Sequence, residues 1–309
     1  MYFKYFYILR DLWINIIYKI IIVFSLLSIY LNNFKRTKIC ICAIGKNENL
    51  YIKEFINHYK KLGYNKIFLY DNNDIDGERF EDIIKNEIIN GFISIIDYRG
   101  VKGPDINPQI QAYRDCYEKN NLKYDWLSFF DIDEHLKLIP SNLKIQSFLN
   151  NKRYKYCQNL KINWLMFTNN NSLFYENKPL EDRVNIPIYN TNVNYHIKST
   201  VRGKLPINYW SKASNPHTSL NPFISCSSSG KIINYTSPFN KPPDYKYAYL
   251  NHHHNKSFEE FCLKIKRGRP IPNYKIYREN MIKYLFEQNR NNSIKLKILL
   301  NIFNNSIKI

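Results

Sequence analysis

Segments with the patterns of β-strands and α-helices alternate through the first half of the chain, and this alternation most restricts the fold. Each short apolar run is followed by a polar loop and then by apolar residues at helical spacing. The predicted strands are Ile39–Ile44, Lys66–Tyr70, Phe92–Ile96 and the run that starts at Trp126. The predicted helices have their core positions within Ile52–Tyr59, Phe80–Ile88 and Gln109–Lys119. The alternation predicts a single α/β domain with a mostly parallel central sheet and helices on both faces.

An acidic cluster, Asp131-Ile132-Asp133-Glu134, follows the fourth apolar run. Open α/β sheets bind ligands where their strands end, and the cluster lies at such an end. Asp131 and Asp133 are two residues apart, so in an extended segment both side chains point the same way. Carboxylate oxygens are suitable ligands for Mg²⁺ or Mn²⁺, which also bind diphosphate. The cluster therefore predicts a cation site, and a solvated acidic turn is the alternative interpretation.

Composition and charge narrow the class of protein. The hydrophobic content of 44% is sufficient for a substantial core, and the formal charge of +19 favours anionic partners. The basic residues are spread along the chain without a nucleic-acid-binding motif, so we expect no nucleic acid as a partner. No Gly-x-Gly-x-x-Gly follows the first strand, which argues against dinucleotide binding. The six cysteines form no Cys-x-x-Cys pair, and we expect free buried thiols in a reducing compartment.

The first 36 residues differ from the rest of the chain. Residues 13–31 are almost wholly apolar, and basic residues flank them on both sides. A spanning helix needs about 20 apolar residues, and Lys19 interrupts this run. We therefore expect a membrane-associated helix that lies at the interface or spans marginally, with a helix packed on the domain as the alternative. The predicted divisions are a membrane-associated segment 1–36, an α/β half 37–140, a second half 141–290 that ends in helices, and a basic amphipathic tail 291–309.

The later half has one strong helix signal. Ser257 and Glu260 form a capping box that predicts the start of a helix, with Lys264 and Arg267 one turn apart on it. Before it stand His252, His253 and His254, and in a strand neighbouring side chains point to opposite faces. One of the three histidines is therefore expected to act as a ligand, rather than all of them.

Several segments, in this order and spacing, resemble the glycosyltransferase family 92 / family-2-like group of GT-A glycosyltransferases over roughly residues 38–270. The segments that carry the resemblance are Gly45–Glu48, His58–Gly63, Tyr70–Asp74, Gln111–Tyr117, Trp126–Glu134, Lys198-Ser199-x-x-Arg202, His217 and His252–Gly268. The resemblance implies a GT-A-like fold and an inverting hexosyltransferase. It also implies a nucleotide-sugar donor, for which we expect a UDP-sugar, and Mn²⁺ or Mg²⁺ as the cofactor.

The resemblance also implies roles for individual residues. The expected metal ligands are Asp133 and Asp131, with His252 as a further protein contact and His217 as its competitor; Asp131 is alternatively a ribose ligand. The residues expected to hold the nucleotide and diphosphate are Asn47, Glu48, Asp71, Asn72, Asn73, Gln111, Arg114, Asp131, Lys198, Arg202, Lys256, Lys264 and Arg267. Turn residues, loop histidines and a solvated basic helix face are the alternative interpretations.

The catalytic base is expected to be Asp182, with Glu181 as the second choice. The family's Glu-Arg-Phe reads Asp182-Arg183-Val184 in this chain, and a surface ion pair with Arg183 is the alternative. Glu134 has three open interpretations, as a ligand of the metal, a contact of the acceptor or a cap of the following turn.

Two other functions compete with a transferase that moves a sugar to a glycan or lipid-linked glycan. A nucleotidyl or phosphoryl transferase also uses paired aspartates and a cation, but it predicts a glycine-rich phosphate loop that the sequence lacks. A basic nucleic-acid-binding protein would leave Asp131 and Asp133 without a role. With the apolar N-terminal segment, we expect association with a membrane surface and an active domain on its cytoplasmic side.

Overall fold

The computed structural model describes residues 23, 37–101, 107–168, 172–205, 215–217, 224–234, 236–254, 256–268 and 280. Apart from residue 23, the expected membrane-associated segment 1–36 lies outside this range, as does the expected basic tail 291–309. Among the described helices, none combines the length and the apolar character needed to cross a membrane.

The described residues form an α/β structure. The helices are α1 (Asn49–Leu62), α2 (Glu81–Ile89), α3 (Pro108–Asn120), α4 (Ile145–Leu149), α5 (Leu180–Arg183) and α6 (Phe258–Arg267), with 3₁₀ turns at Lys152–Tyr154 and Asn192–Tyr195. The strands are β1 (Ile39–Gly45), β2 (Lys66–Asp71), β3 (Ile93–Asp97), β4 (Trp126–Phe129), β5 (Glu134–Leu138), β6 (Asn159–Phe167), β7 (Pro187–Ile188), β8 (Ile197–Arg202), β9 (Ser225–Cys226), β10 (Ile232–Ile233) and β11 (Ala248–His252).

The sheet is parallel on one side and mixed on the other. Strands β3, β2, β1 and β4 lie side by side and parallel, which confirms the predicted alternation of strands and helices. Beyond β4, strand β8 pairs antiparallel with β4, and β6 pairs antiparallel with β8. The expectation of a mostly parallel sheet is therefore wrong for the second half. A parallel crossover usually runs through a helix that covers the sheet, whereas the described residues between β6 and β8 contain only the four-residue α5, the two-residue β7 and a 3₁₀ turn.

Helices cover both faces of the parallel strands, as predicted. Alternate residues of β1 belong to different cores because side chains along a strand point to opposite faces. Ile39, Ile41 and Ala43 pack in one core with residues of α1 and α2, while Cys40 and Cys42 pack in the other with residues of α3. The parallel half is therefore a rigid base for the loops at the ends of its strands.

Strand β5 begins directly after the acidic cluster, and β11 lies beside it. β11 pairs antiparallel with β5 and parallel with β6, and this register places His252 opposite Glu134. Sequence analysis predicted neither β5 nor β11. Because β5 returns the chain into the sheet, residues 130–133 form a short connection between two buried strands, and β11 brings His252 to it.

Two of the six cysteines are joined, which corrects the expectation of free thiols throughout. A disulfide links Cys157 to Cys226, whose Cα atoms are 5.8 Å apart. The pair meets because β9 runs parallel to the start of β6. The other four cysteines are free and buried, as predicted: Cys40, Cys42, Cys116 and Cys262.

Candidate functional site

A cavity of about 860 Å³ lies at the ends of β1 and β4 and is closed on one side by α6. We call it the main cavity. The predicted site residues that line it are Glu48, Asn72, Asp131, Asp133, Lys198, His217, His252, Lys264 and Arg267. Lining residues that sequence analysis did not single out include Lys46, Asn107, Gln109, Trp164, His196 and His254.

Asp131 lies at the wall of the main cavity and is held by three side chains. Its Oδ1 lies 2.7 Å from Lys198 Nζ and accepts hydrogen bonds from Gln109 Nε2 at 2.5 Å and from the Tyr113 hydroxyl at 3.2 Å. Burial would raise the pKa of Asp131, but the charge of the fully buried Lys198 outweighs it and lowers the pKa. Asp131 is therefore a fixed carboxylate at neutral pH.

Asp133 is more deeply buried and contacts a different cation. Its Oδ2 accepts a hydrogen bond from Lys264 Nζ at 2.6 Å, and its Oδ1 lies 3.7 Å from His252 Nε2. Burial would raise the pKa of Asp133, but the charges around it, Lys264 first among the basic side chains, hold the pKa well below its usual range. Asp133 is therefore ionised, and it faces one ring nitrogen of a neighbouring histidine.

Glu134 lies behind the two aspartates and does not line the main cavity. Its Oε2 accepts a hydrogen bond from the backbone N–H of Asp131 at 2.9 Å, and its Oε1 lies 3.6 Å from Lys198 Nζ. Burial, and then the charge of Asp131, raise the pKa of Glu134 well above its usual value. The side chain closes the preceding turn, on which Asp131 lies, and not the following turn that was considered from the sequence.

Three histidines surround Trp164 at the main cavity. The Trp164 ring lies 4.8 Å from that of His196, 5.2 Å from that of His217 and 4.2 Å from that of His252, measured between centroids. His196 Nδ1 and His217 Nδ1 lie 2.9 and 3.0 Å from backbone carbonyls. A carbonyl only accepts, so both histidines donate from Nδ1 and keep a lone pair on Nε2.

Burial lowers the pKa of each of these histidines. The pKa of His217 falls to about 3, and that of the fully buried His252 falls well below its usual value. The pKa of His196, which is half-buried, is also lowered. All three imidazoles are therefore neutral at pH 7 and available as proton acceptors or metal ligands.

Helix α6 carries its basic residues to the loop after β1. Arg267 Nη1 donates to the Lys46 carbonyl at 2.6 Å and to the Glu48 carboxylate. Lys256, just before the helix, lies 3.4 Å from Glu48 Oε2 and 3.3 Å from the centroid of the Tyr51 ring. Lys264 and Arg267 thus line the main cavity, whereas Lys256 braces Glu48 behind it.

In the predicted nucleotide-binding loops, some residues line the main cavity and others hold the loops in place. Asn72 lines the main cavity, and its Nδ2 donates to the carbonyls of Tyr98 and Val101 at 2.9 and 3.2 Å. Asp71 and Asn73 are fully buried instead. Asp71 accepts hydrogen bonds from Arg99 and Asn73, and Asn73 Oδ1 accepts one from the backbone N–H of Asn47. Asp71, Asn73 and Asn47 therefore hold the loop that presents Asn72 to the cavity.

Besides Glu134, Lys256 and the supporting loop residues, five more predicted site residues do not line the main cavity in the described part of the chain. Arg202 donates to backbone carbonyls of residues 154–157 and lies over the Trp126 ring, so it braces the fold. Gln111 and Arg114 lie further along α3 than Gln109, which reaches Asp131 in their place. Glu181 contacts His135 and Lys137, and Asp182 is its neighbour on α5. Glu181 and Asp182 therefore lie away from the aspartates that they were expected to serve.

Comparisons with known proteins agree with the resemblance found in the sequence. The model of Glycosyltransferase family 92 matches residues 35–266 of the chain. A family 92 protein of Oryza sativa subsp. japonica is 27% identical over 121 residues, which is 39% of this chain and 20% of the relative. One from Ricinus communis is 25% identical over 118 residues, 38% of this chain and 20% of the relative. The matched part thus spans about a fifth of the length of these curated relatives.

Two solved structures are among those similar to the chain. S. aureus TarS 1-349 in complex with UDP-GlcNAc aligns with a TM-score of 0.39 and 12% identity, over 86% of this chain and 80% of TarS. The mannosyltransferase PcManGT from Pyrobaculum calidifontis, in complex with GDP-Man and Mn²⁺, aligns with a TM-score of 0.30 and 8% identity, over 47% of this chain and 44% of that one.

Proposed function

The chain belongs to glycosyltransferase family 92, and on this premise we propose that it transfers a hexose from a nucleotide sugar to a glycan or lipid-linked glycan. The donor is a UDP-sugar bound in the main cavity of a GT-A-like domain. The observation that carries the proposal is the juxtaposition of Asp133 and His252 at the wall of this cavity, beside Lys264. Together they offer an anionic oxygen, a neutral imidazole and a fixed cation to one ligand.

Asp133 and His252 fit a divalent cation of the Mn²⁺ or Mg²⁺ type. Ligand bonds of about 2.1 Å allow two donor atoms of one ion to lie up to about 4.2 Å apart. Asp133 Oδ1 and His252 Nε2 are 3.7 Å apart, within that limit. Among the described residues, His252 Nδ1 has no hydrogen-bond partner that would commit the ring to one tautomer. When bound, such an ion supplies positive charge that stabilises the diphosphate leaving group.

Basic side chains of the main cavity supply the remaining charge. Departure of the sugar leaves negative charge on the diphosphate, and cations already aimed at that position lower the barrier. Lys264 and Arg267 reach the cavity from α6, and Lys198 reaches it from β8. Lys264 is anchored on Asp133, and Lys198 on Asp131, so both are positioned before the donor binds. We assign the diphosphate to these three residues, and the hydroxyls of the donor to Asp131.

Inversion at the sugar requires a base that takes the proton of the acceptor hydroxyl. The side-chain geometry does not favour Asp182 or Glu181, because neither lines the main cavity. We assign the base to His196, which lines it. Donation from Nδ1 to the Val193 carbonyl leaves the lone pair of Nε2 to accept a proton. His196 is less buried than His217, so an imidazolium ion formed there is better solvated.

Binding measurements separate this function from nucleotidyl transfer and from nucleic-acid binding. We propose titration of the full chain with UDP, GDP, CDP and a single-stranded oligonucleotide, each with and without Mn²⁺, followed by calorimetry. The proposal predicts Mn²⁺-dependent binding of UDP and weaker binding of GDP and CDP. Binding of the oligonucleotide without any nucleoside diphosphate would contradict it.

We also propose that the protein is associated with a membrane through residues 1–36. The support is the apolar run at residues 13–31 and its basic flanks, together with the net charge of +19. Deletion of residues 1–36 should move the protein from the membrane fraction to the soluble fraction. Continued sedimentation with membranes would assign the attachment to another part of the chain.

A further inference from the structure

A second group of histidines lies on the other side of β5 and β11 from the main cavity. His135 follows Glu134 in β5, and His253 follows His252 at the end of β11. Strand alternation turns each of them away from its predecessor, and neither lines the main cavity. The His135 ring stacks on His58 of α1, with 4.8 Å between centroids and 15° between planes. We call His58, His135 and Glu181 the reverse-face cluster.

The three members of the cluster bring donor atoms together. One ring nitrogen of His58, one of His135 and one carboxylate oxygen of Glu181 lie within 4.8 Å of one another. His58 Nε2 lies 2.9 Å from the Leu136 carbonyl, which can only accept a hydrogen bond. His58 therefore donates from Nε2 and keeps a lone pair on Nδ1.

Nearby imidazole nitrogens lack the hydrogen bonds that burial normally requires. His135 is almost completely buried, and its Nε2 has no partner among the described residues. The same is true of both ring nitrogens of His253, whose ring lies 5.3 Å from that of His135. Buried polar atoms are nearly always satisfied by protein, water or an ion. These three nitrogens, in two neighbouring rings, therefore require water or an ion beside the cluster.

We propose that His58, His135 and Glu181 bind a divalent transition metal ion of the Zn²⁺ type, with His253 beside them. Two imidazoles and one carboxylate form a recognised donor set for zinc, which leaves one position open. Imidazole nitrogens favour Zn²⁺, Cu²⁺ or Ni²⁺ over Mg²⁺. The hydrogen bond from His58 Nε2 to the Leu136 carbonyl is the kind of outer contact that orients a metal-binding imidazole.

Lys137 would compete with the metal ion for the Glu181 carboxylate. Its Nζ lies 2.5 Å from Glu181 Oε1, and His135 Nδ1 lies 3.3 Å from the same oxygen. Lys137 is partly exposed, so it can swing into solvent when an ion binds. Removing its charge without shortening the chain, as in Lys137→Met, should therefore strengthen metal binding. If Lys137 and His135 instead satisfy Glu181 by themselves, that substitution would have no such effect.

A metal at the cluster would join three elements that support the main cavity. His58 is on α1, His135 is two residues after Asp133, and Glu181 is on α5. The ion would thus fix the strand that leads out of the acidic connection. Its role is structural, and its binding does not depend on a sugar donor.

The full chain should be stripped with a chelator and titrated with Zn²⁺ by calorimetry and with Co²⁺ by visible absorption. We expect one tight equivalent of Zn²⁺ and Co²⁺ bands typical of imidazole ligands. His58→Gln and Glu181→Gln should weaken binding by more than about 100-fold, because even loss of an outer-shell partner costs about 10- to 100-fold. Glu176→Gln, which alters an exposed carboxylate shortly before Glu181 in the chain, should leave the affinity for Zn²⁺ unchanged.

A second variant separates this site from the cation site of the main cavity. Asp133→Asn combined with His252→Gln should abolish sugar transfer and keep the tight Zn²⁺ equivalent and the Co²⁺ spectrum. Circular dichroism of every variant identifies any that fail to fold. Absence of tight Zn²⁺ binding in the wild type would overturn the proposal. So would loss of tight Zn²⁺ binding in the Asp133/His252 variant with retention in His58→Gln and Glu181→Gln. Neither result would bear on transfer itself.

Discussion

Lys264 Nζ lies 2.6 Å from Asp133 Oδ2, although 131 residues separate the two in the chain. His252 Nε2 faces the other oxygen of the same carboxylate at 3.7 Å. A strand, a connection and a helix from distant parts of the sequence thus meet at one buried carboxylate. The lysine fixes its position and keeps it ionised, while the histidine leaves a second donor atom beside it.

His252→Gln should raise the Mn²⁺ concentration required for half-maximal transfer by at least about 10-fold, because one donor to the ion is lost. The measurement is initial rate against Mn²⁺ concentration at saturating donor. Asp82→Asn, which alters an exposed side chain of α2 far from both proposed metal sites, is the control. An unchanged Mn²⁺ requirement in His252→Gln would remove this residue from the cation site.

His196→Gln should lower kcat by about 10²- to 10⁴-fold, the usual contribution of a general base, with little change in KM for the donor. The wild-type rate should fall as pH drops through a pKa below the usual histidine range, since only neutral His196 accepts a proton. Rate profiles between pH 4 and 8 test both points. A larger loss of kcat in His217→Gln than in His196→Gln would contradict this assignment and identify His217 as the base.

The ion pair between Arg183 and Glu260 should make the free energy of unfolding depend on pH in the acidic range. Glu260 accepts hydrogen bonds from Arg183 Nη1 at 2.6 Å and from the Tyr51 hydroxyl at 2.6 Å. Although burial opposes it, these bonds lower the pKa of Glu260 to about 2, below the value of about 4.3 in an unfolded chain. Its stabilisation is therefore complete above about pH 4.3 and is lost as pH falls towards 2.

Glu260→Gln tests this pair, because it leaves the Arg183 charge buried without its partner. Breaking a buried ion pair costs about 3–5 kcal/mol. Denaturant unfolding at pH 7 should show a loss of this size, and the difference from wild type should shrink as pH approaches 2. Glu259→Gln, on the same turn of α6, is the control. Equal stability of wild type and Glu260→Gln at pH 7 would contradict the assignment.

The Cys157–Cys226 disulfide bears on the compartment in which the domain lies. Disulfides persist in oxidising compartments and are rare in the cytosol, so a cytoplasmic domain should contain both residues as thiols. Peptide mapping of protein alkylated in intact cells is expected to recover the two cysteines as one linked pair. That result would argue against the cytoplasmic location expected from the sequence, whereas two alkylated thiols would support it. Cys157→Ser should lower the free energy of unfolding by about 2–4 kcal/mol if the bond is present.

The parallel half of the sheet follows from the sequence because its signals are local. Each strand from β1 to β4 is a short apolar run, and each helix between them repeats its apolar positions at helical spacing. The capping box at Ser257 and Glu260 is confirmed for the same reason, since its two hydrogen bonds join residues three apart. The pairing of the later strands joins distant segments, and no local pattern encodes that pairing.

The same distinction explains which site residues the sequence could identify. Asp131 and Asp133 follow directly from a predicted strand end, and both line the main cavity. Trp164 and His196 lie on segments that contact the cavity only because β6 and β8 pair. Gln109 had one available signal, its position two residues after Asn107 at the N-terminus of α3, where side chains point towards the strand ends. The resemblance assigns Arg202 to the nucleotide and diphosphate, but the fold uses its guanidinium to satisfy backbone carbonyls.

The most direct measurement is transfer and hydrolysis of a panel of UDP-sugars by the full chain, with and without Mn²⁺, in wild type and Asp133→Asn. Asp82→Asn, an exposed aspartate of α2, is the matched control. We predict Mn²⁺-dependent turnover of at least one UDP-sugar in wild type and in Asp82→Asn, and a loss of more than about 100-fold in Asp133→Asn without loss of fold, because both the ligand and the anchor of Lys264 are removed. Turnover that persists in Asp133→Asn, or that is independent of Mn²⁺ in the wild type, would contradict the account.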